Sequence, residues 1–114
     1  MTVVLVCGGR DYARQDVVDI MLNAFHAEHG ITKIIHGDAR GADSLAQDWA
    51  IRNNVEQEPF PADWEQYGKG AGMIRNRQMI LQKPDYVIAF PGGKGTENMK
   101  KLAESHKVSI INVT

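Results

Sequence analysis

Apolar residues in this chain follow two alternating rhythms: short unbroken runs, and longer stretches with an apolar residue at every third or fourth position. The runs are VVLVC at 3–7, which ends at Gly8 and Gly9, KIIH at 33–36, which ends at Gly37, YVIAF at 86–90 and VSIINV at 108–113, with a weaker one near 55–60. Short β-branched runs closed by glycine predict buried strands. Between them Val17, Val18, Met21, Leu22 and Phe25 fall on one helical stripe, and Leu45, Ala46, Trp49 and Ala50 on another. Residues 72–82 and 96–106 predict two further helices. Near-continuously apolar strands that alternate with helices imply a three-layer α/β domain whose mainly parallel sheet has about five strands. Ligands of such sheets bind outside the carboxyl ends of the strands, and this chain places its unusual loops there.

Composition narrows the picture. A chain of 114 residues predicts one domain over 1–114. The 13 Lys and Arg against 14 Asp and Glu leave a formal charge of −1, so the chain lacks a bulk attraction for polyanions, and nucleic acid is not the expected partner. A phosphate site must therefore be local. The single cysteine, Cys7, cannot close an internal disulfide and reads as a small buried residue. No run approaches membrane-spanning length or reads as a signal peptide, so a cytoplasmic protein away from membranes is expected. No spacing of His, Cys or carboxylates predicts a metal, and no cofactor is expected.

The last glycine loop carries the strongest chemical signal. In PDYVIAFPGGKGTENMKKLA, 84–103, an apolar strand runs into Gly92, Gly93, Lys94 and Gly95, and Thr96 with Glu97 is expected to open a helix whose free N–H groups favour phosphate. The loop is not a Walker motif, because Gly95 separates Lys94 from Thr96, and no GxGxxG follows the first strand. Two earlier loops are of similar kind. In CGGRDY, 7–12, Gly8 and Gly9 allow a tight turn, Arg10 offers a forked cation and Tyr12 a ring face for a base; the plainer alternative is a glycine turn with Arg10 in solvent. In HGDARGADSLAQDWA, 36–50, Gly37 and Gly41 flank Asp38 and Arg40 ahead of Asp43 and Ser44. These residues either face a ligand or form an ordinary helix cap with an Asp38–Arg40 pair, and His36 reads as a strand-end histidine.

Residues 60–80, FPADWEQYGKGAGMIRNRQMI, predict an irregular loop over the site, in which Trp64 either stacks on a purine or pins the loop to the core. Steps of about 100° put Arg77 on an apolar stripe with Met73, Ile74, Ile80 and Leu81, where it would need a partner. Arg75 lies off that stripe and leans toward the helix start, which gives it the better access to a ligand.

CGGRDY, HGDARGAD, AGMIRNRQM and PGGKGT together resemble the small YspA-like members of the SLOG superfamily over nearly the whole chain. The resemblance implies a Rossmann-like sheet that binds nucleotides or nucleotide-derived molecules, and a homo-oligomer. The superfamily includes the lonely-guy phosphoribohydrolases, which show RKxxM followed by PGGxGTxxE, with the Arg and the final Glu implicated in cleaving base from ribose 5′-phosphate. Here Arg75, Asn76 and Met79 stand as RNxxM, and Pro91–Thr96 match. Met99 occupies the place of the acid; Glu97, the nearby carboxylate, lies about 200° round the helix. The expected function is thus capture of a nucleotide-derived signal, ADP-ribose-like or cyclic-nucleotide-like, by a sensor or sequestering protein. Gly92, Gly93, Gly95 and Thr96 would hold phosphate, Arg10 and Arg75 would neutralise it, and Tyr12 or Trp64 would stack on the base. The alternatives are an N-glycosidic hydrolase using Arg75 with a loop acid such as Asp38, Asp43 or Asp63, and DNA binding like that of DprA, another superfamily member.

Overall fold

The computed structural model describes residues 1–114. Five strands, β1 (Thr2–Cys7), β2 (Ile31–His36), β3 (Glu56–Pro59), β4 (Tyr86–Ala89) and β5 (Ser109–Asn112), form one sheet in the order β3-β2-β1-β4-β5. Every neighbouring pair runs parallel. Five helices connect them: α1 (Gln15–His29), α2 (Ala42–Arg52), α3 (Trp64–Tyr67), α4 (Ala71–Ile80) and α5 (Lys94–Ser105). The fold is a Rossmann-like α/β sandwich with helices on both faces.

Alternation along the strands divides the core in two. Val4 and Val6 of β1 and Ile88 of β4 point toward α1 and α2, where Val18, Leu22, Ala46 and Trp49 meet them. Leu5, Cys7, Val87 and Ala89 point the other way, onto Met79 and Ile80 of α4 and Met99 and Ala103 of α5. Both layers are needed because a parallel sheet is apolar on both faces. The edges are treated differently: Lys33 of β2 pairs across to Glu56 and Glu58 on edge strand β3, placing charge where a further strand would add. No helix is long and apolar enough to cross a membrane.

Three local expectations change. Arg77 is exposed, as are Met73, Ile74 and Leu81, while Ala71, Asn76, Met79 and Ile80 are buried. The rotation of α4 is set by a polar residue: Asn76 donates to the Gly95 carbonyl at 3.1 Å and to Asn98 Oδ1 at 2.9 Å, so the side that carries Asn76 must face α5. The expected loop at 60–80 is more regular than its glycines and prolines imply, because Asp63 accepts the Gln66 N–H at 3.0 Å and caps α3, which leads through a 3-10 turn, Gly68–Gly70, into α4. Helix α5 starts at Lys94, two residues before Thr96, with Glu97 N–H bonded to the Gly93 carbonyl at 3.0 Å.

Trp49 ties the first layer together, being fully buried with its indole N–H donated to Asn23 Oδ1 at 2.8 Å. Trp49→Ala should lower the unfolding free energy by about 3–5 kcal/mol. Urea denaturation reads this as a reduced midpoint; a loss below about 1 kcal/mol would contradict the packing of α1 and α2 described above.

Candidate functional site

The sheet order reverses direction between β1 and β4. From β1 the chain moves outward to β2 and β3, and from β4 it moves to β5 on the opposite side. The loops after these two central strands therefore diverge and leave a crevice at the carboxyl end of the sheet. One residue organises it. Gly9 donates its N–H to the Pro91 carbonyl at 2.8 Å, and its own carbonyl accepts from Ala42 N–H at 3.1 Å and Tyr12 N–H at 3.2 Å. The approach is close enough that a Cβ on Gly41, whose φ is +78°, would overlap the Gly9 carbonyl oxygen, and one on Gly92 would overlap the Thr96 hydroxyl.

The crevice holds a cavity of about 620 Å³. Its lining brings Arg10, Lys69, Arg75 and Lys94 together against one carboxyl group, Asp43. The start of α5 forms one wall. No side chain caps this helix, and its first backbone bond is the one donated by Glu97, so the N–H groups ahead of it are left for an outside acceptor. Unlike Gly41 and Gly92, Gly93 and Gly95 have no protein atom within 4 Å of a built Cβ, and neither has a positive φ. Packing therefore does not require glycine at either position. The missing Cβ atoms leave open space beside free N–H groups at the positive end of a helix dipole, the setting in which proteins bind phosphate.

Behind this wall lies a network of partly buried polar groups. Asp43, 7% exposed, does not cap α2; its Oδ2 turns back to accept Gly37 N–H at 3.1 Å and Ala39 N–H at 3.4 Å. Burial pushes the Asp43 carboxyl above its ordinary range, and Arg75 and the two N–H bonds oppose that shift. Arg75 donates to the Gly37 carbonyl, to the Phe60 carbonyl at 3.4 Å and, through Nε, to Asn76 Oδ1 at 3.2 Å. Burial lowers the Arg75 pKa, while Asp43 acts to raise it. His36 is internal: Nδ1 accepts Asp38 N–H at 3.0 Å, leaving Nε2 to donate to Gln57 Oε1 at 2.6 Å, so it shapes the loop and does not reach the cavity.

Most of the candidate residues converge. Gly8, Gly9, Arg10, Asp43, Trp64, Arg75, Asn76, Gly93, Lys94, Gly95 and Thr96 line the large cavity. Asp38 and Arg40 line a neighbouring cavity of about 430 Å³ that shares Arg10, Trp64 and Arg75 with the first. Arg40 faces Asp11 at 3.8 Å, so the alternative of an Asp38–Arg40 pair gives way to a contact between loops. Trp64, 49% exposed, stands at the rim of both cavities with the Arg10 guanidinium 5.3 Å from its ring centroid. Tyr12 packs on Phe90, centroids 5.6 Å apart, and lines neither cavity. Gly41 and Gly92 act behind the cavity wall through the close approaches described above. Glu97 pairs with Lys100 at 3.3 Å outside the cavity, and Met99 is wholly buried in the second core.

Among the lining residues that escaped the sequence reading as site candidates are Lys69, Cys7 and Asn98. Lys69 had a usable signal, a cation between two glycines ahead of α4. Cys7 was visible only as a buried strand residue, and Asn98 gains its place from Asn76, a contact between helices that no local pattern announces.

A family model described as "YspA, cpYpsA-related SLOG family" matches residues 2–67, which carry the CGGRDY and HGDARGAD loops. The chain is also similar to the Gene 61 protein of Mycobacterium phage D29, at 37% identity over 117 residues, covering 96% of this chain and 94% of that protein.

Two measurements check this geometry. Gly41→Ala combines a strained φ with an overlap against backbone and should destabilise the fold by about 2–4 kcal/mol, whereas Gly95→Ala, inside α5 with open space around it, should leave stability unchanged or raise it by up to about 1 kcal/mol. Equal losses for the two variants in urea titrations would refute the division of the glycines. Cys7 lines the cavity floor but is only 8% exposed, and burial pushes its thiol up to about 12. At pH 8 a disulfide reagent should therefore label native protein far more slowly than protein in guanidinium; similar rates would mean that the floor is open.

Proposed function

Because the chain belongs to the YspA, cpYpsA-related SLOG family, we propose that it captures a nucleotide or nucleotide-derived molecule in the crevice between the β1 and β4 loops. The observation that carries this reading is the pair Gly93 and Gly95, glycines for which the protein itself has no packing need, placed at the uncapped start of α5 inside a cation-lined cavity. Gly95 lies in a helix where alanine would raise intrinsic helix propensity by about 1 kcal/mol, so leaving the space open has a stability cost.

In this reading the ligand phosphate takes the free N–H groups of the α5 start, with Lys94, Arg10 and Arg75 supplying positive charge. Trp64 at the rim offers a ring face to the base. The cavity volume lies within the roughly 300–1,000 Å³ typical of small-molecule sites. Capture is favoured over cleavage of the glycosidic bond because Met99, at the place of the hydrolase acid, is part of the core, and Glu97 is turned away onto Lys100. The bound molecule would then be sensed or sequestered.

Thermal shift against nucleotides, NAD-derived compounds and cyclic nucleotides, with chromatography of each mixture, tests the reading. At least one phosphate compound should stabilise the protein without being consumed, by about 2.7 kcal/mol at a concentration a hundred times its Kd. Lys94→Ala and Gly93→Ala should each weaken that compound about tenfold or more while leaving the unliganded protein folded. The reading fails if no phosphate compound shifts the melting temperature. Release of free base, abolished in Arg75→Ala, would instead make the chain a hydrolase.

A further inference from the structure

Asp43 is out of keeping with a site built for anions. It is a carboxyl group, nearly buried, on the wall of a cavity whose other charged lining residues are all cations. Its two oxygens differ in their partners. Oδ2 takes both backbone N–H groups, from Gly37 and Ala39, and Oδ1 has no partner in the protein. No enclosed side-chain oxygen or nitrogen in the molecule lacks a hydrogen bond, so Oδ1 must open onto the cavity.

A free carboxylate oxygen repels phosphate and accepts hydrogen bonds. The Asp43 end of the cavity therefore suits a neutral donor. Its distance from the phosphate end is set by a continuous wall: Arg75 holds the Gly37 carbonyl, its Nε reaches Asn76 Oδ1, and Asn76 Nδ2 reaches the Gly95 carbonyl in the first turn of α5. Asp43 is fixed to the far end of that wall through Gly37. In a nucleotide the sugar lies next to the phosphate and the base lies beyond it. With phosphate at α5 and the base toward the exposed Trp64, the interior acceptor meets the sugar.

We propose that Asp43 reads a sugar hydroxyl, so that the site selects ribosyl phosphates over their deoxy counterparts. The proposal rests on the placement of phosphate at α5 described under the proposed function. A buried acceptor left without a donor is unfavourable, so omission of the hydroxyl should be felt as lost affinity.

Calorimetric titration of the full chain with ADP, 2′-deoxy-ADP, 3′-deoxy-ADP, IDP and pyrophosphate tests it. Wild type should bind ADP about tenfold more tightly than at least one deoxy analogue and should bind IDP like ADP. In Asp43→Leu, which leaves neither a donor nor an acceptor at this position, ADP should fall to the level of that analogue while pyrophosphate binding is unchanged. The wild-type comparison stands even if the variant does not fold. Equal binding of ADP and both deoxy analogues overturns the proposal, as does a preference that survives in Asp43→Leu. Loss on IDP in place of the deoxy analogues assigns the donor to the base amine and overturns the sugar reading. Pyrophosphate binding with no response to ADP overturns the nucleotide assignment, and failure of pyrophosphate and all four nucleotides overturns the phosphate site itself together with this inference.

Discussion

The N–H and C=O of Gly9 hold the β1, β2 and β4 loops in one cluster, through Pro91 on one side and Ala42 on the other. Backbone groups are short and obligatory hydrogen-bonding partners, so loops joined in this way must approach almost to van der Waals contact. That distance accounts for the residue types around them. Gly41 can adopt a positive φ and has no Cβ to meet the Gly9 carbonyl; Gly92 leaves room for Thr96; Gly8 lies where a Cβ would be 2.5 Å from that of Ala42. The crevice is the remaining opening between three loops that are otherwise locked together.

Once the loops are fixed, the side chains need little further guidance. Asn76 joins α4 to the first turn of α5, and Arg75, its neighbour in sequence, extends from the same helix to the Gly37 carbonyl. Two consecutive polar residues thus tie the β2 loop, α4 and the N-terminal end of α5 into one hydrogen-bonded wall. The same wall fixes the separation of the uncapped helix start from the Asp43 oxygen. Binding geometry here is a property of backbone contacts and their direct side-chain supports, which is the arrangement a preorganised site requires.

The sheet and its order of layers were legible because buried parallel strands are written as apolar runs, and VVLVC, KIIH and YVIAF each coincide with a central strand to within two residues. Glycine clusters at strand ends marked the loops for the same local reason. The rotation of α4 was not legible. Periodicity assigned its inner face by apolar count, whereas Asn76 and the small Ala71 face inward, and Met73, Ile74 and Leu81 lie outside. A polar residue that finds its partners on another helix carries no local signature. Tyr12 erred in the opposite direction: an aromatic beside a glycine loop looks available, but Phe90 lies close enough to draw it into the core. Arg40 likewise found Asp11 across the loop boundary, a partner invisible to spacing within either segment.

Sequence alone also could not separate the glycines, which look identical in PGGKGT. The fold divides them by what stands opposite. Gly92 faces Thr96 and Gly9 and is demanded by the protein; Gly93 and Gly95 face empty space and are not. Of these two only Gly95 lies inside α5, where alanine would be expected to stabilise. The space beside Gly95 is the space that the proposed ligand would take. Met99 supplies the complementary constraint. Because its side chain is a fully buried part of the second core, a carboxylate there would require rebuilding the packing of α5 against the sheet, so the missing acid is built into the fold and is not a vacancy at the cavity surface. The two positions together give this loop open space at the start of α5 and an apolar core residue where the hydrolase pattern carries its acid.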